Sequence, residues 1–173
     1  DVKDEEITIL EIGVWKGESL KLWSKYFSKG KIENLAKIKH KIKIRRINIE
    51  NKKNLYSSLK DCRIFFHLAS RAYGIGYSKD NHSKILLHNE KITENLLLIL
   101  KKIKIDYFQC VSSSCVYDDN GPKKIKEELN PKGIPEKANL GYGLAKRSLE
   151  RKILTMSKIY NFPLTIVRPF NIY

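Results

Sequence analysis

Cysteine is scarce. Cys62, Cys110 and Cys115 are the only three in 173 residues. Their number is odd, and no Cys-x-x-Cys or Cys/His cluster accompanies them. Neither a disulfide framework nor a zinc centre or other metal site is expected, and a reducing, cytoplasmic setting is the default. Long apolar runs are also missing. The longest, Leu96 to Leu100, is far too short to span a bilayer. No signal-peptide pattern and no internal repeat is visible. Acidic residues are few, 19 Asp and Glu against 34 Lys and Arg, for a net charge of +15. Such a surplus raises the question of a nucleic-acid partner. The lysines, however, are scattered over most of the chain and form no stripe. They read as a solvated surface whose field would tolerate an anionic small substrate, so neither nucleic acid nor a membrane is the expected partner. Apolar residues make up 42% and aromatics 10% of the chain, enough for a buried core in one domain.

Periodicity then orders the chain. Ile7 to Ile12 reads as a short buried strand, followed by a loop with Gly13 and Gly17 and a helix from Ser19 to Phe27. A lysine-rich connection leads to a strand over Lys41 to Ile49 and a short helix over Asn54 to Leu59. Arg63 to Ser70 reads as a strong buried strand, Arg71 to Asn81 as a loop, and His82 to Lys102 as a long helix. Tyr107 to Ser113 is the next strand, Gly121 to Asn139 a polar loop, Tyr142 to Tyr160 a helix, and Leu164 to Arg168 a final strand. Alternating strands and helices predict an α/β domain with a mostly parallel sheet and helices on both faces.

Two pieces of a dinucleotide fold are absent. Strand, glycine loop and helix would place backbone amides at a helix N-terminus against a ligand. A dinucleotide turn prefers Gly-x-Gly-x-x-Gly or Gly-x-x-Gly-x-x-Gly, whereas here Lys16 and Ser19 stand where the later glycines belong. No apolar strand ending in an acidic residue follows the first helix. Glu11 to Gly17 instead resembles the first motif of class I S-adenosylmethionine-dependent methyltransferases.

The richest stretch is Val111 to Lys146. It opens on Val111-Ser112-Ser113-Ser114-Cys115-Val116-Tyr117 and closes on Tyr142-Gly143-Leu144-Ala145-Lys146. Tyr142 and Lys146 stand four residues apart and share one helix face. A lysine cation beside a phenol favours the phenolate, so Tyr142 is expected to titrate below about 10 and to serve as a general base. A serine of the preceding strand end could hold the same substrate oxygen.

From about Gly30 onward, these residues together resemble the extended short-chain dehydrogenase/reductase family, the NAD-dependent epimerases and dehydratases of nucleoside-diphosphate sugars. The motifs fall in the family's order. Phe66 to Ser70 is similar to its fourth strand, Ser112 to Tyr117 to its serine motif, Tyr142 to Lys146 to its Tyr-x-x-x-Lys pair, and Arg168 to Tyr173 to its strand end at the nicotinamide and substrate diphosphate. A narrower resemblance, carried by Gly74-Ile75-Gly76, Ser113 and Cys115, is to GDP-mannose epimerases and GDP-fucose synthase. Asp118 replaces the usual glycine after Val-Tyr, and Asn48 the usual aspartate near the adenine.

The resemblance implies a Rossmann-like, doubly wound fold, incomplete because the second strand and the C-terminal substrate domain are missing. It implies one NAD-binding epimerase/dehydratase domain over residues 1–173, of which 1–29 is atypical and reads as a foreign segment joined near Ser28 to Ile32. The chain starts on Asp1 and stops at Tyr173 within a motif, and reads as a fragment. The implied cofactor is NAD, held by Gly13, Asn48, Ile49, Leu68, Ala69, Ser70, Tyr142, Lys146 and Phe170. The implied substrate is a nucleoside-diphosphate sugar held by Gly74, Gly76, Ser113 and Asn171. The implied catalytic set is Ser113, Tyr142 and Lys146, with Cys115 exchanging protons on the sugar. A homodimer is implied for the full-length protein. The competing expectations are a methyltransferase-like fragment, carried by Glu11 to Gly17, and an inactive remnant of the sheet.

Overall fold

The computed structural model describes residues 47–49, 51–121, 125–127 and 131–170. The expected strand Ile7 to Ile12, the helix Ser19 to Phe27, the methyltransferase-like motif, the junction near Ser28, and site residues Gly13 and Asn171 lie outside them. Of the expected strand Lys41 to Ile49 only 47–49 are described. There the chain is already turning, with Asn51 N–H donating to the Asn48 carbonyl at 2.9 Å.

The described elements are, in order, α1 (Lys52–Leu59), β1 (Ile64–His67), the single turn α2 (Ile75–Ser78), α3 (His82–Leu100), β2 (Tyr107–Val111), α4 (Leu140–Tyr160) and β3 (Leu164–Val167). Short 3₁₀ turns occupy Ser114–Val116 and Lys137–Asn139. The three strands form a parallel sheet in the order β1-β2-β3. Register lines up Phe65, Phe108 and Leu164 in one row and His67, Cys110 and Ile166 in the next. Side chains alternate across a strand, so both rows share one face. On that face lie Leu55 and Leu59 of α1, Ile92, Leu96, Ile99 and Leu100 of α3, and Leu149 and Ile153 of α4, all in one core. On the opposite face Ile64 and Phe66 are exposed, and the helix layer among the described residues covers one side of the sheet.

The local reasons are readable. Asn51 Oδ1 accepts from Asn54 N–H at 3.2 Å and caps α1, which starts two residues earlier than expected. Asn161 at φ 53° ends α4 in the left-handed conformation, returning Phe162 to the core against Phe108. Strands β1, β2 and β3 are all shorter than their apolar runs suggested. Beyond His67 the chain is drawn off the ladder by Asn89 of α3. Its side chain accepts from Arg71 N–H at 2.8 Å and donates to the Arg71 carbonyl at 3.0 Å. Helix α4 begins at Leu140, ahead of the expected Tyr142. The region expected to be loop, Arg71 to Asn81, contains α2, which packs on the Lys137–Asn139 turn.

Candidate active site

The site lies at the carboxyl ends of β1, β2 and β3, where the chain leaves the sheet and the amino end of α4 meets it. Tyr142 sits in the first turn of α4, largely buried. Its hydroxyl lies 3.4 Å from Ser70 Oγ, just past β1. Lys146 follows one turn later and is 2% exposed. Its ammonium donates to the Val111 carbonyl at 2.7 Å, at the end of β2, and stands 5.6 Å from the Tyr142 ring centroid. Burial holds this lysine down to about 8, with Cys110 and Glu150 acting in the other direction.

The expected depression of the Tyr142 phenol does not occur. Burial pushes its pKa up, the Ser70 hydrogen bond lowers it only in part, and the neighbouring Cys115 raises it further. The reason is geometric. The Lys146 ammonium points at a carbonyl beneath the ring rather than at the phenolic oxygen, so it does little to stabilise a phenolate there.

Ser113 starts the 3₁₀ turn that carries Cys115. Its Oγ accepts from Cys115 N–H at 3.2 Å. The Cys115 thiol is raised by burial first and then by its contact with Glu136. This turn rests on α4 through glycine. A Cβ on Gly143 would lie 2.5 Å from the Cys115 carbonyl oxygen and 2.8 Å from Pro135 Cβ. Gly141 plays the same part for α3, because a Cβ there would lie 2.1 Å from the His82 carbonyl oxygen. Arg147 ties both loops to α4. It donates to the carbonyls of Val116 (2.5 Å), Gly133 (2.6 Å) and Lys132 (2.8 Å).

The end of β3 is fixed by a buried ion pair. Arg168 donates through Nε and Nη2 to the two carboxylate oxygens of Glu150, at 2.8 and 2.7 Å. Its Nη1 donates to the Tyr117 hydroxyl at 3.2 Å, and the guanidinium lies 5.2 Å over the Tyr117 ring. Tyr117 stacks on Phe170 at 6.0 Å. Backbone bonds continue the join, from Ser112 N–H to the Val167 carbonyl and from Ser114 N–H to the Pro169 carbonyl. Beneath the site, both ring nitrogens of His67 and the Ser112 hydroxyl are buried without a hydrogen-bond partner.

The NAD dependent epimerase/dehydratase family matches residues 17–173. The chain belongs to this family. It is similar to GDP-mannose 3,5-epimerase 1 of Oryza sativa subsp. japonica, at 28% identity over 109 residues, 62% of this chain and 29% of that protein. Among solved structures it is similar to UDP-glucuronic acid 4-epimerase from Bacillus cereus, crystallised with UDP-glucuronic acid and NAD. Identity is 26% and the TM-score 0.64, over 82% of this chain and 43% of that one. The fold is also that of UDP-N-acetylglucosamine 4-epimerase from Methanobrevibacter ruminantium M1, with a TM-score of 0.70 at 24% identity over 99% of this chain and 49% of that one. The chain thus spans less than a third of the curated relative and about half of these solved structures.

Several residues expected at the family site come together in the structure. Ser70, Ser113, Cys115, Tyr142 and Lys146 surround the carboxyl ends of β1 and β2. Leu68 is exposed and Ala69 buried at the same edge, with Phe170 exposed at the end of β3. The others stand apart from this cluster. Ile49 is in the core, with its carbonyl accepting from Asn95. Asn48 is exposed at the turn before α1. Gly74 and Gly76 lie at α2 with open space around them and no positive φ, so neither is required sterically. Residues that shape the site but escaped the sequence reading are Asn89, Gly141, Gly143, Arg147 and Glu150. Of these, Glu150 had a usable signal, a lone acid on the inward face of α4 one turn beyond Lys146.

Proposed function

We propose that this chain carries the cofactor half, and part of the catalytic half, of an NAD-dependent nucleoside-diphosphate-sugar epimerase/dehydratase. The observation that carries the reading is the meeting of Tyr142 and Lys146 with Ser70 and the end of β2, in a chain of this family. In a parallel α/β sheet, the carboxyl ends of the strands are where nucleotide ligands bind.

The residues present fit the nicotinamide end of such a cofactor. Leu68 offers an exposed apolar edge, Ala69 is small enough for close approach, and Lys146 presents an ammonium at the strand ends. Leu68, Ala69, Ser70, Tyr142, Lys146 and Phe170 would hold it, with Asn48 and Ile49 toward the adenine. NAD, when bound, supplies a hydride acceptor and a cationic ring. Ser113 and Tyr142 orient a sugar hydroxyl by hydrogen bonds. Tyr142 takes that hydroxyl's proton, which its raised pKa permits only when further positive charge is brought beside the phenol. The ketone so formed acidifies neighbouring C–H bonds, and Cys115 exchanges a proton there. Proton exchange with inversion is epimerisation, and loss of a hydroxyl is dehydration. The substrate is a nucleoside-diphosphate sugar, with Gly74 and Gly76 beside its sugar and Asn171 at its diphosphate. The full-length protein acts in the cytoplasm, and a homodimer is its working state.

Quenching of intrinsic fluorescence by NADH tests the reading. The chain should bind saturably, and Lys146→Met should weaken binding by about tenfold or more, the size of one charge-assisted contact. Absence of saturable NAD(H) binding would refute it.

A further inference from the structure

Glu136 is the last acidic side chain before α4, and the structure seats it beside Cys115. Pro135, its neighbour, and the Cys115 carbonyl both close on Gly143, at the 2.8 and 2.5 Å a Cβ there would meet. The two loops are also joined directly, by the bridge between Asp118 and Pro135 and by Asp119 N–H donating to the Ile134 carbonyl at 3.1 Å. Arg147 pins both to α4. The Glu136 carboxylate is oriented by Asn139, whose Nδ2 donates to Oε2 at 3.0 Å. That carboxylate acts on the Cys115 thiol and, after burial, is the next cause of its raised pKa. The titratable groups against the thiol are therefore Glu136 from the loop and Tyr142 from α4, with the Ser113 hydroxyl from its own turn.

We propose that Glu136 is the proton partner of Cys115, a positioning residue that acts through the thiol. The proposal rests on the function given above. A thiol whose pKa is raised carries little thiolate at neutral pH and is a poor base alone. With a carboxylate behind it, the exchange needs no free thiolate. The thiol S–H proton passes to Glu136 as sulfur takes the proton from the carbon next to the ketone. The C–H pair moves into the carbonyl as an enolate. The thiol is restored and Glu136 ends as a neutral acid. Running the steps backward delivers a proton to carbon and returns the carboxylate.

The test needs neither cofactor nor sugar. In the 173-residue chain carrying Cys62→Ser, alkylation of Cys115 by iodoacetamide is followed across pH by mass spectrometry of its peptide. Cys110, fully buried, serves as the internal unreactive control. Glu136→Gln should lower the alkylation midpoint by about half a pH unit or more and raise the rate near pH 7.5 about threefold, since a facing carboxylate disfavours the thiolate. Glu136→Asp should fall between the two, with circular dichroism checking the fold of each variant. Coincident pH profiles for wild type, Glu136→Gln and Glu136→Asp would overturn the pairing. Its role in proton exchange is read with NAD and a nucleotide sugar in D₂O. Glu136→Gln should cut deuterium entry into the sugar at least tenfold while leaving reduction of NAD unchanged. Equal loss of both would assign Glu136 a structural role only. A chain that fails to bind NAD but shows the alkylation shift refutes the enzymatic reading and keeps the pair.

Discussion

Replacing Arg168 by methionine should be among the most damaging single changes in the described domain. The Glu150 carboxylate is 2% exposed and takes both of its close hydrogen bonds from Arg168, at 2.8 and 2.7 Å. Without the guanidinium, a buried charge is left unpaired, a change that costs about 3–5 kcal/mol. The reverse change should be milder. The Arg168 side chain is 12% exposed and keeps Tyr117, through a hydrogen bond and its ring, when Glu150 becomes leucine. The pair replaced together, Glu150→Leu with Arg168→Met, should recover much of the single-mutant loss, because apolar groups of similar size can substitute for a buried pair at little net cost. The assay is urea unfolding of the four proteins, read as a double-mutant cycle. Domain stability is commonly about 5–15 kcal/mol, so the Arg168 loss would be a large fraction of the total. A loss under about 1 kcal/mol for Arg168→Met, or a larger loss for Glu150→Leu than for Arg168→Met, would refute the argument that the buried carboxylate sets the asymmetry.

Four further outcomes follow from the same geometry. Lys146 is lowered from 10.5 to about 8, so above pH 8 the unfolded chain holds the lysine proton that the folded one has lost, and the contribution of this residue to stability rises with pH. That contribution, up to about 1.4 kcal/mol per pH unit, runs against Cys110 and Cys115, whose thiols are raised in the fold but ionise at about 8.5 when unfolded, so it is read as the difference in urea midpoints between wild type and Lys146→Met across about pH 8 to 10. His67 is lowered from 6.5 to about 3, chiefly by burial, so its share of stability is lost as pH falls from 6.5 toward 3. His67→Leu should flatten that acid limb and, by removing two unpartnered nitrogens, raise stability at pH 7 by about 1 kcal/mol. Gly141→Ala should cost about 3 kcal/mol in thermal or urea unfolding, since its Cβ would meet the His82 carbonyl. Gly76→Ala, with nothing near it, should be neutral or stabilising by up to about 1 kcal/mol, and an accompanying loss of nucleotide-sugar affinity would support its place at the substrate.

The parallel α/β architecture was legible because its signals are periodic and apolar. Phe65, Phe108 and Leu164 belong to short apolar runs that read as strands, and Ile92, Leu96 and Ile99 repeat at helical spacing. The ends of these elements were less legible. Leu68 and Ala69 continue an apolar run, yet the chain leaves the sheet there because Asn89, 18 residues or more away, takes up the Arg71 backbone. A polar side chain on the buried face of a helix gives no hint of which loop it will serve. Gly141 and Gly143 gave no hint of their part. Glycine counts against a helix, yet α4 runs through both, starting at Leu140 rather than the expected Tyr142. Both glycines are instead the contact points at which α3 and the Cys115 turn reach the helix backbone.

The same distinction explains the site. Tyr142 and Lys146 were found because their spacing is local, four residues on one helix face. Their chemistry was misjudged because a pKa is set by what surrounds a group in space. Sequence spacing places the ammonium near the ring but says nothing of the Val111 carbonyl, 35 residues earlier, that captures it. With that acceptor occupied and both groups buried, the free protein keeps a neutral phenol and a weakened lysine cation. Each state is favoured chiefly by burial, and added charge opposes each, positive charge beside the phenol and negative charge beside the ammonium. A site built this way is poised to change protonation when a charged ligand arrives rather than to stay ionised in its absence. One helical turn beyond Lys146, Glu150 is paired instead with Arg168, and this ion pair fixes the end of β3 while its carboxylate also favours the lysine cation.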